Sequence, residues 1–326
     1  MRILVTGGAG YIGSVVTAHL VAAGHDVVVL DNLVTGHRDA VAPEATFVEG
    51  DIADPAVTGP VLADGIEAVM HFAAYSLVGE SAEHPEKYYR NNVVGTFGLL
   101  EAMREVGTPA LVFSSSAATY GEPEVVPITE DAPTRPTNAY GATKLAMDHM
   151  IGFYCAAHGL GAVSLRYFNV AGAFGTRGER HAIETHLIPL VLQVPLGQRE
   201  AISVFGTDYP TPDGTAIRDY IHVNDLSRAH LLAVAACTPG EHRIYNLGCG
   251  DGFSVREVLQ VCREVTGEPI PAVEVGRRAG DPARLVASSA RIQADLGWRP
   301  EFGLPDMVRD AWDFARYRAA DFPGEV

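Results

Sequence analysis

Basic side chains are scarce in this sequence of 326 residues. It contains 24 Lys and Arg against 40 Asp and Glu, which gives a formal net charge of −16 at pH 7. No stretch concentrates Lys and Arg, so the composition argues against a nucleic-acid partner, whose phosphates would need such a surface. An anionic ligand would instead have to be held by a few placed arginines and by backbone N–H groups.

Cysteine is also rare, and long apolar runs are missing from the sequence. The four cysteines form no Cys-x-x-Cys pair and lie in apolar surroundings, so we expect buried free thiols. No uncharged apolar stretch reaches the ~18 residues of a membrane-spanning helix. Residues 1–6 are typical of a strand rather than a signal peptide. We therefore expect a cytoplasmic protein with no membrane partner.

Short β-branched runs alternate with longer amphipathic stretches in the first half of the chain. The predicted strands are residues 3–6, 27–30, 46–49, 68–72, 110–114 and 162–166, and the predicted helices include 12–23, 86–106 and 140–158. Continuous apolar strands separated by helices indicate a parallel sheet that is covered on both faces. The sequence thus predicts an α/β fold with a doubly wound, Rossmann-type parallel sheet, whose ligands lie at the carboxyl ends of the strands.

Turn-forming residues become frequent after about residue 175, and the regular alternation ends there. We predict two domains on this basis. A sheet domain would cover residues 1–175, and a smaller ligand-binding lobe would cover residues 176–326. Within the second half, residues 220–250 are expected to return in part to the first domain.

A glycine-rich turn follows the first predicted strand and supplies Gly7, Gly10 and Gly13. Glycines at this spacing allow a tight turn, the approach of a pyrophosphate to the backbone, and close packing of strand and helix. Asp31 ends the second strand, 18 residues beyond Gly13, and no arginine follows it directly. A carboxylate there accepts the ribose hydroxyls of NAD and repels the 2′-phosphate of NADP. We predict an NAD site; the alternative is a glycine-rich turn in a fold that binds no nucleotide.

Polar residues at two further strand ends have more than one interpretation. Asp51 follows the third strand, where it would meet the adenine of the cofactor or only cap the strand end. Ser114 and Ser116 lie at the carboxyl end of the fifth strand, and Ser116 would meet a substrate hydroxyl there. For Ser114 a strand-end turn is the plainer interpretation.

Tyr140 and Lys144 form a Tyr-x-x-x-Lys pair at the start of a predicted helix. Residues four positions apart lie on one helical face. A tyrosine with the usual pKa of about 10 is a poor base at neutral pH, and we expect the neighbouring ammonium to lower that pKa. Tyr140 would then act as a general base. The alternative is an exposed tyrosine that stacks on a lysine stem.

Together these residues resemble the extended short-chain dehydrogenase/reductase family and, within it, the 4-epimerases of UDP-glucose and UDP-galactose. The resemblance covers essentially the whole chain and implies an isomerase with bound NAD and a UDP-sugar substrate. The implied cofactor contacts are Gly7, Gly10, Tyr11, Ile12, Gly13, Asp31, Asn32, Asp51, Ile52, Phe72, Ala73, Ala74, Asn91, Ser114, Tyr140, Lys144 and Tyr167. The implied substrate contacts are Ser116, Tyr140, Asn169, His186, Leu187, Val204, Phe205, Arg218, Arg278, Asp281 and Leu285.

The resemblance also implies a reaction. Tyr140, supported by Ser116 and Lys144, would take the proton from the sugar C4 hydroxyl while hydride passes to NAD. The 4-keto sugar would then turn within the site and be reduced on its other face. A homodimer is implied as well, formed through the helices near 86–106 and 140–158.

Three positions depart from the family pattern. Ser76 stands where some members have lysine, His186 where others have asparagine, and Leu285 where a tyrosine can restrict the substrate to plain hexoses. Leucine leaves more room, so we hypothesise that N-acetylated UDP-hexosamines also react. A pentose or uronate 4-epimerase, a decarboxylase and a non-catalytic NAD sensor are the alternatives. Dehydration is disfavoured because no acid accompanies Ser116.

A group of His181, Glu184 and His186 could suggest a metal site. Its spacing is not that of known zinc motifs, and the sequence offers no convincing third ligand. We therefore predict that no metal is bound.

Overall fold

The computed structural model describes residues 1–278 and 280–321, so residue 279 and residues 322–326 of the predicted second lobe lie outside the described residues. The strands are β1 (Arg2–Thr6), β2 (Asp26–Asp31), β3 (Thr46–Glu49), β4 (Ala68–His71), β5 (Ala110–Ser116), β6 (Gly161–Tyr167), β7 (Asn169–Ala171), β8 (Ala173–Phe174), β9 (Arg177–Gly178), β10 (Ile202–Phe205), β11 (Ile217–Arg218), β12 (Tyr220–His222), β13 (His242–Leu247), β14 (Phe253–Ser254), β15 (Ala272–Val275) and β16 (Arg284–Leu285). The helices are α1 (Tyr11–Ala22), α2 (Pro55–Ala63), α3 (Val78–Glu83), α4 (Pro85–Tyr88), α5 (Gly95–Val106), α6 (Ala139–His158), α7 (Leu187–Leu192), α8 (Val223–Ala235), α9 (Val255–Thr266), α10 (Ala290–Leu296) and α11 (Leu304–Asp321). Short 3₁₀ turns cover Arg38–Ala40 and Ala117–Thr119, and a π-helical stretch, Tyr89–Val94, joins α4 to α5.

A seven-stranded sheet forms the centre of the molecule, in the order β13-β6-β5-β4-β1-β2-β3. All of its neighbouring strands run parallel. The strand order reverses at β1, which pairs with β2 on one side and with β4 on the other. Such a reversal opens a crevice at the carboxyl ends of these strands. The predicted α/β fold with a doubly wound parallel sheet is confirmed.

Helices bury both faces of this sheet, which is why its strands are almost continuously apolar. On one face, α1 and α8 pack on the odd residues of β1, such as Ile3 and Val5. On the other face, α2, α5 and α6 cover Leu4. The alternation of side chains along β1 therefore feeds two separate cores.

A third apolar core lies in the second half of the chain and contains residues of α7, α9, α11 and β10. β13 does not join it, because it pairs with β6 at the edge of the large sheet. The division into domains at residue 175 stays a prediction. In the described part of the chain, no helix combines the length and the apolar character that crossing a membrane requires.

Candidate active site

The turn between β1 and α1 lies at the crevice and requires glycine at two points. Gly7 has a φ of +72°, and a Cβ there would lie 2.6 Å from the backbone nitrogen of Ala73. A Cβ on Gly13 would overlap the carbonyl group of Gly7. Gly10 precedes α1 and offers no side chain to cap it. The first N–H groups of α1 therefore remain available to an anion such as a pyrophosphate.

Asp31 stabilises this turn from the end of β2. One of its carboxylate oxygens accepts a hydrogen bond from the backbone N–H of Ala9 at 3.0 Å, and the other accepts one from Leu33 at 2.8 Å. A carboxylate oxygen can accept more than one hydrogen bond, so these contacts leave capacity for ribose hydroxyls. The side chain is buried at the wall of the crevice. Its negative charge there would repel the 2′-phosphate of NADP.

Asp51 holds the turn after β3, and its contact with adenine stays a prediction. Its Oδ1 accepts a hydrogen bond from the backbone of Ala53 at 2.8 Å, which holds the turn after β3. Its Oδ2 accepts one from the side chain of Asn32 at 3.3 Å. Both residues also line the crevice, so the turn contact does not remove Asp51 from the candidate adenine end.

A cavity of 510 Å³ extends from the glycine turn along the carboxyl ends of the strands. Every predicted cofactor contact lines it. Its wall also contains seven of the predicted substrate contacts: Ser116, Tyr140, Asn169, His186, Arg218, Asp281 and Leu285. These residues belong to motifs that are spread over most of the chain, and they meet at one site.

Four predicted substrate contacts do not line this cavity. Val204 points into the core of the second lobe, because the side chains of β10 alternate and Val204 shares a face with buried Ile202. The Val204 side chain therefore lies in this core, and its substrate contact stays a prediction. Leu187 packs against the same core, and Arg278 stacks on the ring of Phe205 at 3.8 Å. The roles of these three stay predictions.

Helix α6 brings the predicted base to the cavity. The Asn138 side chain caps the helix by accepting a hydrogen bond from the N–H of Gly141 at 2.8 Å. The backbone N–H of Tyr140 donates to the hydroxyl of Ser81 at 3.1 Å. The Tyr140 hydroxyl forms a hydrogen bond with Ser116, the last residue of β5. A phenol and a serine hydroxyl are thus paired at the end of the strand, as proton exchange with a substrate hydroxyl requires.

The predicted lowering of the Tyr140 pKa by Lys144 is not found. Burial raises the pKa of Tyr140, and the hydrogen bond from Ser116 opposes this only in part. The Lys144 Nζ lies 5.9 Å from the centre of the Tyr140 ring. It donates instead to the carbonyl oxygen of Ser114 at 2.6 Å. Burial lowers the pKa of Lys144 to about 7, and the charge of Asp148 opposes this shift. A lysine that is itself desolvated is a weak source of positive charge for its neighbour.

Arg218 and Asn169 lie toward the other end of the cavity. The guanidinium group of Arg218 is paired with the carboxylate of Asp281. The Asn169 amide donates to the backbone carbonyl of Asp219 at 2.9 Å, which fixes its orientation. Arg218 can share its forked donors between Asp281 and a bound diphosphate, because guanidinium presents five N–H groups.

The comparisons with known proteins agree with this geometry. The profile of the NAD dependent epimerase/dehydratase family matches residues 3–248. The chain is 60% identical to a UDP-glucose 4-epimerase of Corynebacterium glutamicum, over 96% of this chain and 95% of that protein. The chain belongs to the NAD dependent epimerase/dehydratase family.

Solved structures of UDP-glucose 4-epimerases superpose closely on the chain. One is a UDP-glucose 4-epimerase with 53% identity and a TM-score of 0.94, which covers 98% of both chains. A second is a UDP-glucose 4-epimerase from Brucella ovis in complex with NAD, with 47% identity and a TM-score of 0.92, covering 96% of this chain and 98% of that one. The likeness therefore extends over the second lobe as well as the sheet.

One residue at this site was missed in the sequence analysis. Glu179 lines the cavity and lies beside His181, Glu184 and His186. It is a further candidate ligand that the sequence analysis did not consider. The sequence signal was the pattern Glu-x-His-x-x-Glu-x-His, which begins two residues before the group that we considered. The absence of a metal, predicted without this residue, stays a prediction.

Proposed function

We propose that this chain catalyses the reversible 4-epimerisation of UDP-galactose and UDP-glucose with bound NAD. The observation that carries the proposal is the pairing of Tyr140 with Ser116 in the cavity that begins at the glycine turn. A base that faces a hydroxyl in a dinucleotide cavity suits the reversible oxidation of an alcohol. The 60% identity to a UDP-glucose 4-epimerase supports the choice of sugar and of reaction.

The glycine turn and Asp31 are the residues that would hold NAD. The turn has no Cβ where a pyrophosphate would approach, and the N-terminus of α1 faces that space. Asp31 would accept the hydroxyls of the adenosine ribose. When bound, NAD supplies the hydride acceptor and the positive charge of its oxidised nicotinamide ring. Such a charge would favour the phenolate of Tyr140 and so counteract the effect of burial.

Proton transfer falls to the side chains of the chain itself. Tyr140 Oη would take the proton of the sugar C4 hydroxyl and return it after the 4-keto sugar has turned. Ser116 would share this hydrogen bond. Lys144 is held at the end of β5 by its hydrogen bond to the Ser114 carbonyl. From there it would position the nicotinamide ribose. Each group returns to its starting state, so one bound NAD would serve many turnovers.

The part of the cavity that Arg218 lines would hold the UDP group. We assign the diphosphate to Arg218 and Asn169, and we place the sugar between them and Tyr140. Leu285 lines the same cavity and is small enough to leave space beside the sugar. On this ground we propose that N-acetylated UDP-hexosamines also react.

The neighbours of Ser116 argue against dehydration. Ala117 and Ala118 follow it in the cavity wall, where a 4,6-dehydratase would need a carboxylic acid. A pentose or uronate 4-epimerase remains the alternative on the same scaffold. A non-catalytic NAD sensor is disfavoured because both Tyr140 and Lys144 are present at the cavity.

We further propose a homodimer that forms through helices 86–106 and 140–158. Both helices expose large apolar side chains that a partner would cover, namely Tyr89, Val94, Phe97 and Phe153. Light scattering of the purified protein tests this proposal, and a monomeric mass at micromolar concentration would contradict it. The four free cysteines fit the cytoplasmic location that we also propose.

Incubation of the purified protein with UDP-galactose, without added reductant, tests the reaction directly. We expect chromatography to show UDP-glucose, and we expect Tyr140→Phe to lower the rate by about 10²–10⁴-fold, the usual contribution of a general base. Tyr154→Phe is the matched control, because this hydroxyl donates to Glu101 outside the cavity. If the wild type retains NAD yet forms no UDP-glucose, the assignment of the sugar is wrong.

A further inference from the structure

Four ionisable side chains meet in the segment that connects β9 to α7. Glu179, His181, Glu184 and His186 each present one ligand atom, and these atoms all lie within 4.8 Å of one another. The two glutamate side chains are only 8% and 9% exposed. Two carboxylates that are buried this closely repel each other unless a cation lies between them.

Both histidines direct Nδ1 toward the carboxylates. The distances to Glu179 Oε1 are 2.5 Å from His186 and 3.2 Å from His181. The distances to the oxygens of Glu184 are 3.4 Å and 3.6 Å, respectively. Ligand atoms on a tetrahedral ion with bonds of about 2.0 Å lie about 3.3 Å apart. The four contacts, which involve both oxygens of Glu184, thus bracket the spacing of a metal's coordination shell.

Apart from the two glutamate carboxylates, neither histidine Nδ1 atom has a polar partner among the described residues. Both Nδ1 atoms are buried, and within the described residues neither forms a hydrogen bond of acceptable geometry. The nearby cation Arg180 pairs instead with Asp39, at 2.5 Å. Polar atoms that are buried without a hydrogen bond in this way indicate a missing ligand.

We propose that Glu179, His181, Glu184 and His186 bind one Zn²⁺ ion. Two imidazole nitrogens and two carboxylate oxygens form a donor set that suits a tetrahedral zinc site. Four protein ligands leave no open position, so the ion is structural and does not take part in the reaction. The proposal goes beyond the proposed epimerisation and does not depend on it.

The position of the cluster indicates what the ion would stabilise. Glu179 and His181 lie between the 510 Å³ cavity and a smaller cavity of 160 Å³, and they line both. The backbone carbonyl of Arg180 lies 3.0 Å from Nε2 of His37, which is on the cofactor side of the large cavity. The ion would thus fix the position of the segment 179–186, which forms part of the active-site wall. The competing arrangement is a cluster of ion pairs between protonated histidines and glutamates, which binds no metal.

The test measures metal content after the protein has been stripped with a chelator, loaded with Zn²⁺ and desalted. We expect one zinc per chain by elemental analysis, and a Co²⁺-loaded sample with the strong visible absorption of a tetrahedral site. His181→Gln should reduce the zinc content at least tenfold. His84→Gln is the matched control, because this histidine is exposed and its ion-pair partner is Glu86.

A second measurement keeps the proposal testable if His181→Gln does not fold. We expect added Zn²⁺ to raise the melting temperature of the stripped wild-type protein, and added Mg²⁺ to leave it unchanged. Zinc content at the level of the blank, or no shift with Zn²⁺, would overturn the proposal. Equal zinc content in the wild type and His181→Gln would overturn it too.

Discussion

Lys144 donates a hydrogen bond from Nζ to the carbonyl oxygen of Ser114 at 2.6 Å. This contact ties helix α6 to the end of strand β5. The same two elements carry Tyr140 and Ser116, so the contact fixes the distance between the proposed base and its hydrogen-bond partner. A catalytic pair held by packed secondary structure needs no reorganisation when the substrate arrives.

The buried lysine should make the stability of the cofactor-free protein depend on pH. Folding lowers the pKa of Lys144 from 10.5 to about 7. Between these values the unfolded chain binds the proton and the folded chain has released it. The free energy of unfolding therefore rises with pH across this window, by up to about 1.4 kcal/mol per pH unit from this group.

Lys144→Met removes this contribution and isolates it from other titrating groups. In urea titrations of both cofactor-free proteins, we expect the wild type to gain roughly 1.5 kcal/mol relative to the variant between pH 7 and 8.5. Parallel pH profiles for the two proteins would show that Lys144 is not desolvated. A profile of opposite sign would show that its pKa is raised.

Gly13→Ala should abolish NAD retention. A Cβ at this position would overlap the carbonyl of Gly7, so α1 could not pack against the glycine turn. We expect the cofactor content of the purified variant to fall at least tenfold, as judged by the absorbance of released NAD after reduction. Gly59→Ala is the control: it lies within α2 and its Cβ would meet nothing within 4 Å. That variant should keep NAD, because α2 contributes no residue to the cavity wall.

The glycine turn illustrates what could be predicted from the sequence. The space at Gly13 is limited by Gly7 and Gly8, which are close in the chain, and an apolar run, Ile3 to Val5, precedes the turn. Local patterns of this kind predicted the sheet and the NAD end of the site. The position of Tyr140 followed from helical spacing, which is also local.

Other features depend on contacts between distant segments. The partner of Lys144 is a backbone carbonyl in β5, which the Tyr-x-x-x-Lys spacing does not reveal. The side-chain direction of Val204 depends on how β10 packs in the second lobe. Glu179 enters the histidine cluster only because the chain folds back between β9 and α7. These features required the structure.

Asp148→Ala should destabilise the protein strongly. Its carboxylate accepts hydrogen bonds from Arg166 at 2.9 and 3.0 Å and from Ser115 at 3.0 Å, with the Asp148 side chain 1% exposed. Removal of the carboxylate leaves the guanidinium charge buried without its partner. We expect a loss of about 3–5 kcal/mol in the free energy of unfolding, measured with urea.

An exposed ion pair provides the comparison for this prediction. Glu274 pairs with Arg256 at 2.5 Å, but both side chains are about half exposed. Glu274→Ala should therefore cost at most about 1 kcal/mol. If the two variants lose similar amounts of stability, the buried pair contributes no more than a surface one.

Leu285→Tyr should narrow the range of sugars that react. Leu285 lines the cavity and packs with Ile128 and Phe168, so the base of its side chain is fixed and a longer one must extend into the cavity. We expect the wild type to convert both UDP-galactose and UDP-N-acetylglucosamine. In the variant, kcat/KM for the N-acetylated sugar should fall by roughly 10–200-fold, the range typical of steric discrimination in a pocket. The value for UDP-galactose should change less than about threefold, because the plain hexose lacks the group that would meet the ring.

Leu285→Met conserves the volume and should leave both rates near those of the wild type. Undetectable turnover of the N-acetylated sugar by the wild type would contradict the proposed role of Leu285, as would an equal loss of both activities in Leu285→Tyr.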